Sequence, residues 1–416
     1  MNRRMIPAQK PNRDPTRALA FALLESVLDK HRSLEDALDR LPPADPRDRA
    51  AAHRLAAGVL RRAGTLDAVL EPHLAKAPPL PVRIVLLIGA AGLLFLGTPP
   101  HAAVGTAVDL ARAQKLNPFA GMVNAVLRRV AEQGPALLAQ LDSPRLDTPA
   151  WLWASWGEDA RAIATAQQIE APLDLTLRPG APAPPGGIVL PTGSIRFPAG
   201  TRVAELPGFE TGDFWVQDAA AALPAMLLNA RPGERVADLC AAPGGKTAQL
   251  ASAGASVVAV ERDPARMLRL RENLARLRLK ADLVQADALT WQPGELFDAV
   301  LLDAPCSATG TIRRHPDVPY IKKPRDVQGL VATQDQLLEA AARLLKPGGR
   351  LIYAVCSLQP EEGAGHAPPS GTQQSPFAAD DAPGLITAAG ALRTHPGLWS
   401  EQGGLDGFYA MRLVRP

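Results

Sequence analysis

Two cysteines in the carboxyl-terminal half each close an apolar run: Cys306 in Leu301-Leu302-Asp303-Ala304-Pro305-Cys306-Ser307, and Cys356 in Tyr353-Ala354-Val355-Cys356-Ser357, with Pro360, Glu361 and Glu362 following. Thiols at neighbouring strand ends suit covalent catalysis. One reaction that needs them is methylation of carbon 5 of cytosine, a carbon too weakly nucleophilic to take a methyl group unaided. A thiolate adding to carbon 6 makes carbon 5 enamine-like. The route requires one attackable, partly ionised thiol, an acid at ring nitrogen 3 and, after transfer, a base for the carbon 5 proton. Asp303 is the candidate acid, and a second thiol, or a water held by it, is the candidate base, a task for which Cys306 is placed. Spacing alone does not divide the roles between the two cysteines.

A third element precedes them. Asp238-Leu239 runs into Cys240, Ala241, Ala242, Pro243, Gly244, Gly245, Lys246 and Thr247, and then into a helical pattern. The Gly pair permits close backbone approach, and a helix amino terminus favours a carboxylate such as that of the methionine part of S-adenosylmethionine. Glu261 ends the next apolar run, where an acid can accept from both ribose hydroxyls; Asp287 ends the one after, placed for an adenine amino group, and Asp303 closes the set. The competing reading is a loop with two capping carboxylates. The thiol of Cys240 itself reads as a small buried hydrophobe.

The elements that must carry these residues are β-like runs at Arg235 to Cys240, Ser256 to Glu261, Ala281 to Asp287, Phe297 to Asp303 and Arg350 to Ser357, alternating with helical stretches. This predicts a Rossmann-like α/β domain over residues 233–416: a parallel sheet covered by helices, with ligands at the carboxyl ends of the strands. Residues 363–384, rich in Ala, Pro, Ser, Gln and Gly, read as a mobile surface loop, and the chain closes with a turn and a last strand. Residues 141–232 read as a small α+β connector with a Trp-rich helix at Trp151 to Ile169.

Residues 1–140 carry apolar stripes at helical spacing, at 47–64, 66–75, 80–96, 101–113 and 119–133, with prolines between them and no strand-like alternation, so they form an all-helical domain behind a loose Arg/Pro/Asn-rich arm at 1–15. The apolar run Ile84 to Gly97 is too short to span a membrane and reads as a buried helix.

The chain has 416 residues, 47% hydrophobic, enough for more than one core. Net charge is +3, but residues 1–140 carry 19 Lys/Arg against 12 Asp/Glu, which suits a phosphate-bearing partner. Arg313, Arg314, His315, Lys322 and Lys323, close after Cys306, form a candidate RNA-gripping loop. The alternative is a solvated basic surface, and the Arg-rich stretch 262–278 reads as an outer helix face. Three cysteines without metal-ligand spacing and without a secretory leader point to a reduced, cytoplasmic protein with no metal site. A monomer is expected.

The motifs DLCAAPGGKT at 238–247, LLDAPCSATGTIRRHPD at 301–317, YAVCSLQPEEG at 353–363 and GGLDGFYA at 403–410, with the Trp215-Val216-Gln217-Asp218 entry, resemble the Nol/Nop/Sun family of RNA cytosine-5 methyltransferases in its bacterial ribosomal RNA branch, the RsmB/Sun type. The helical front, with LDAVL at 66–70, TPPHAAVGTAVDLAR at 98–112 and GMVNAVLRRV at 121–130, is similar to the NusB-like RNA-binding domain of that branch. The resemblance implies S-adenosylmethionine as cofactor and 16S ribosomal RNA as partner. It also implies that Cys356 attacks the base and Cys306 assists release. Two features depart from the pattern: Val355 stands where relatives usually have Thr, and the stretch from Gly363 lacks an acidic helical start. The other readings weighed are a methyltransferase of this fold acting on transfer RNA, DNA or protein, and a non-enzymatic RNA-binding assembly factor. Two thiols argue against methylation of protein nitrogen, which needs no thiol adduct.

Overall fold

The computed structural model describes residues 14–416. Their backbone contacts divide into two compact units, one running to Trp153 and including His315–Lys322, the other comprising Ala154–Arg314 and Lys323–Pro416. The expected arm falls almost wholly outside the described residues.

The first unit is helical: α1 (Pro15–Leu28), α2 (Leu34–Asp39), α3 (Pro46–Arg61), α4 (Ala63–Leu70), α5 (Leu80–Leu94), α6 (Pro100–Ala113) and α7 (Ala120–Leu138). The starts are written in the sequence. Asp14, Ser33 and Asp45 cap α1, α2 and α3 through their side chains, and Pro15 and Pro46 occupy first-turn positions whose missing N–H costs nothing. Helix α5 is apolar all round because it is the centre of the unit, touching α1, α3, α4, α6 and α7. Among the described residues no helix is long and apolar enough to cross a membrane.

Two stretches remote in sequence complete this unit. Asp147 accepts from Thr65 N at 2.7 Å and Thr65 Oγ1 at 2.8 Å, and the backbone of Leu146 lies so close over Gly64 that a Cβ there would meet its carbonyl at 2.0 Å. Residues 141–153, expected to open the connector, therefore pack with the helices. Likewise Asp317 accepts from Leu34 N at 2.9 Å, Tyr320 donates to Leu60 O at 2.7 Å, and Tyr320 and Ile321 lie against the helical core.

The second unit begins with an antiparallel sheet of β1 (Leu173–Leu177), β2 (Ile188–Val189), β3 (Ile195–Phe197) and β4 (Phe214–Val216), in the order β2-β3-β1-β4, around Leu175, Ile195, Phe197 and Phe214. Its buried Asp174 and Arg196 pair through two hydrogen bonds of 2.6 Å, and Arg196 also donates to Gln402 O and Gly404 O while Asp174 accepts from Ala219 N. With its charge paired and its donors used, this ion pair fixes the small sheet to the rest of the unit.

The large sheet holds β5 (Arg235–Leu239), β6 (Ser256–Glu261), β7 (Asp282–Gln285), β8 (Phe297–Asp303), β9 (Leu345–Val355), β10 (Gln373–Gln374), β11 (Leu392–Arg393) and β12 (Tyr409–Val414). Its order is β10-β12-β9-β8-β5-β6-β7, with β11 also on β12. Strands β9, β8, β5, β6 and β7 are parallel, and β12 joins β9 antiparallel. Period-two alternation sends Ala299 and Leu301 to one core and Val300 and Leu302 to the other, so β8 is buried on both faces and reads as a continuous apolar run. Chain order reverses between β5 and β8, and the crevice at their carboxyl ends is where such sheets bind ligands.

The expected loop at 363–384 is packed. Its His366, Phe377 and Ala382 are buried and Gln373–Gln374 pair with β12. Composition hid this because two strand residues and isolated apolar side chains leave no period.

Candidate active site

Strand β8 delivers Asp303 and the loop to Cys306, and β9, hydrogen-bonded beside it, delivers Cys356. The two sulfurs stand 3.5 Å apart, both cysteines half-buried. The loops are laced together: Gly310 N donates to Cys356 O at 3.1 Å, Leu358 N to Thr309 Oγ1 at 3.0 Å, and Gly407 N to Gly310 O at 2.8 Å. Gly310 is obligatory, since a Cβ would come within 1.9 Å of the Gly407 carbonyl.

The strongest tie is Glu362. Fully buried, it accepts from Ser307 N at 2.8 Å, from Ser307 Oγ and Ser357 Oγ at 2.5 Å each, and from Gln334 Nε2 at 3.1 Å. One carboxylate thus holds the residue after each cysteine. The sequence reading named Glu362 only as part of a Pro-Glu-Glu element; the seryl residues following both cysteines were the available signal.

Lys246 reaches from the Gly-rich turn to donate to Asp303 Oδ2 at 2.7 Å. Burial opposes its charge, but the Asp303 carboxylate and hydrogen bond, with Cys356, outweigh that and hold the ammonium above its ordinary range. Cys306 is pushed well above the ordinary thiol value by its hydrogen bond with Cys356, by burial and by the charges of Cys356 and Glu362. Cys240 is pushed up to about 12, first by burial; its thiol is the inert hydrophobe expected of it.

The turn from Cys240 to Lys246 is shaped by left-handed backbone at Cys240 and Gly244, φ 60° and 106°. The helix Pro264–Leu277 braces it: Arg266 donates to Ala242 O at 2.7 Å and Asn273 to Pro243 O at 2.9 Å. Around it stand carboxylate oxygens without hydrogen-bond donors. Asp238 Oδ1 and Glu261 Oε2 are both buried and unsatisfied, the latter only ion-paired at 3.3 Å with Arg266. Such acceptors await hydroxyl or ammonium donors, which S-adenosylmethionine possesses. Asp287 spends one oxygen on Leu289 N at 3.0 Å and keeps a 42% exposed side chain. The unsatisfied oxygens of Asp238 and Glu261 beside the turn thus fit the cofactor's donors.

The candidate RNA loop divides. Arg313 is buried, donating to Asp406 Oδ1 at 2.8 Å, to Gly403 O at 2.8 Å and to Asp218, so no phosphate reaches it. Arg314 is exposed, but its guanidinium is engaged by Asp406. These two arginines bind the Cys306 loop to the Gly403–Gly407 turn; a run of basic residues in sequence does not disclose the acids that meet it from elsewhere. His315 lies 3.8 Å from Glu35 in the helical unit. Lys322 is half-buried and Lys323 exposed at the start of the helix Pro324–Arg343. Among the described residues no group of His, Cys, Asp and Glu could hold a metal ion.

Known proteins resemble this chain in sequence and fold. Residues 225–413 match the model of the 16S rRNA methyltransferase RsmB/F family, and residues 14–132 that of the NusB family. The chain is 37% identical to ribosomal RNA small subunit methyltransferase B of Sodalis glossinidius, covering 96% of this chain and 97% of that one. It is equally 37% identical to the protein of that name from Pseudomonas putida, over 96% and 98%. Among solved structures, a methyltransferase homologue from Pyrococcus horikoshii superposes with a TM-score of 0.54 at 25% identity, covering 64% of this chain and 94% of that one. With likeness over nearly the whole length of such relatives, this chain belongs to the RsmB/F family of 16S rRNA methyltransferases.

Proposed function

We propose that this chain methylates carbon 5 of a cytosine in 16S ribosomal RNA through a covalent bond from Cys356. The chain is an S-adenosylmethionine-dependent ribosomal RNA methyltransferase, as its family and full-length relatives are. The observation that carries the finer reading is the pair of thiols 3.5 Å apart beside the Lys246–Asp303 ion pair.

In this reading the Cys356 thiolate adds to carbon 6 of a base turned out of its stack. The displaced electron pair moves through carbon 4 to nitrogen 3, which takes a proton from the Asp303–Lys246 pair. Bound S-adenosylmethionine supplies an electrophilic methyl group to carbon 5. Nitrogen 3 then returns its proton. A base removes the carbon 5 proton, the pair left behind forms the carbon 5–carbon 6 double bond, and the carbon–sulfur bond breaks to regenerate the Cys356 thiolate.

Cys306 is suited to be that base for a reason built into the pair. Its proton is held chiefly by hydrogen bonding to Cys356. Once the Cys356 sulfur is bonded to carbon that hold weakens, Cys306 gives its own proton to solvent, and the thiolate so formed takes the carbon 5 proton. The helical unit, with its +7 balance over residues 1–140, and Lys322 and Lys323 supply RNA contacts.

The test is RNA containing 5-azacytidine, which blocks elimination. Wild type gives a covalent complex that is absent in Cys356→Ala, and Cys306→Ala accumulates a complex on ordinary RNA. Methylation surviving in Cys356→Ala overturns the assignment.

A further inference from the structure

From the residues that follow the two cysteines, a polar chain runs through buried side chains to the exposed Asp335. Glu362, which holds Ser307 and Ser357, accepts from Gln334 Nε2 at 3.1 Å. Gln334 is itself fully buried on the helix Pro324–Arg343, and the same nitrogen donates to Pro305 O at 2.9 Å, the carbonyl just before Cys306. Both amide hydrogens of Gln334 are then committed, so its Oε1 must face the other way, and there it meets His366 Nε2 at 3.0 Å. The second ring nitrogen of His366, Nδ1, meets Asp335 Oδ1 at 2.7 Å, and the ring edge packs on Tyr353 of β9 at 5.2 Å between centroids.

The donor count settles the orientation of every member. Reversing the Gln334 amide would aim its oxygen at the Pro305 carbonyl and the Glu362 carboxylate, two acceptors. Held as it is, Gln334 offers His366 an acceptor, and Asp335 offers a second. His366 thus bridges Gln334 through Nε2 and Asp335 through Nδ1, and the Asp335 side chain is 59% exposed. His366 lies in the stretch that composition alone marked as a mobile loop.

We propose that His366 is a positioning residue of the covalent chemistry: bridging Gln334 and Asp335, it fixes Gln334, which with Glu362 holds the Cys306 and Cys356 loops at their 3.5 Å separation. The inference rests on the reading that the two thiols share the reaction. Attack needs only Cys356, whereas release needs both sulfurs in register, so loosening the chain slows release more than attack.

The experiment compares wild type, His366→Ala, Gln334→Met and the double variant on an unmethylated 16S rRNA transcript, with ordinary cytosine and with 5-azacytidine, alongside thermal melts. In each single variant turnover falls about tenfold with KM for RNA unchanged, trapping on 5-azacytidine RNA reaches the wild-type extent, and covalent complex on ordinary RNA rises. Because both act through one route, the double variant loses about the same tenfold and not about a hundredfold. Trapping and turnover that fall together, multiplying losses, or unchanged turnover overturn the proposal. Should His366→Ala not fold, Asp335→Ala, at a surface position, carries the test: the same split in smaller degree supports the role, and no split overturns it. A wild type that forms no trapped complex removes the covalent reading itself, and this inference with it.

Discussion

Cys306 and Cys356 share one hydrogen bond between sulfurs 3.5 Å apart, and two chemically identical side chains are unequal before any substrate arrives, because Cys306 is pushed well above the usual thiol range. The causes for Cys306 are its hydrogen bond with Cys356, burial, and the charges of Cys356 and Glu362.

The first prediction concerns reagents that attack thiolates. Iodoacetamide at pH 8 should modify Cys356 well ahead of Cys306 and Cys240, since Cys306 is held up by its partner and Cys240 is pushed up to about 12 by burial. In Cys356→Ala the hydrogen bond and charge that hold Cys306 are gone, so Cys306 should label faster than it does in wild type. Peptide mass spectrometry over a time course reads both rates, and modification of Cys306 first in wild type would contradict the asymmetry.

A second prediction separates holding a loop from gripping RNA. Arg313 is buried against Asp218 and Asp406, so Arg313→Ala strips buried Asp218 of its cation and leaves Asp406 with Arg314 alone, and should cost roughly 3–5 kcal/mol of stability. Lys323 is exposed, and Lys323→Ala should leave the melting temperature in place while weakening RNA binding and lowering the slope of log affinity against log salt by about 1. Calorimetry and RNA titrations at several salt concentrations check the pair; an Arg313→Ala protein of unchanged stability and weakened RNA binding would restore the gripping role.

This contrast also marks what sequence can convey. The parallel strands, the Gly-rich turn and the placement of Asp303, Cys306 and Cys356 at strand ends were legible because each is written within a few consecutive residues. The burial of Arg313 and the pairing of Arg314 were hidden because their partners, Asp218 and Asp406, lie roughly a hundred residues away on either side. The same distance hid the membership of Asp317 and Tyr320 in the helical unit, whose bonds to Leu34 and Leu60 span more than 250 positions. Glu362 was visible as a motif residue but mute as to partners, because a carboxylate's role depends on which donors converge on it.

The last prediction is a pH dependence of stability. Asp238, at the end of β5, is fully buried; burial pushes its carboxyl up to about 7 despite the 2.5 Å hydrogen bond from Thr247 and the charge of Lys246. In the unfolded chain the same group titrates near 4. Between those values the folded protein holds a proton that the unfolded chain has released, so stability falls as pH rises through the window from about 4 to about 7 and is level on this account outside it. Asp238→Asn keeps an acceptor for Thr247 without the titration, and should flatten that part of the profile. Saturating S-adenosylmethionine, whose ammonium suits the unsatisfied Asp238 Oδ1, should also reduce the slope in wild type by favouring the ionised carboxylate, and should do so less in Asp238→Asn. Melting temperatures of both proteins from pH 4 to 8, with and without cofactor, decide it. A slope unaffected by the substitution would mean that the Asp238 proton is not linked to folding.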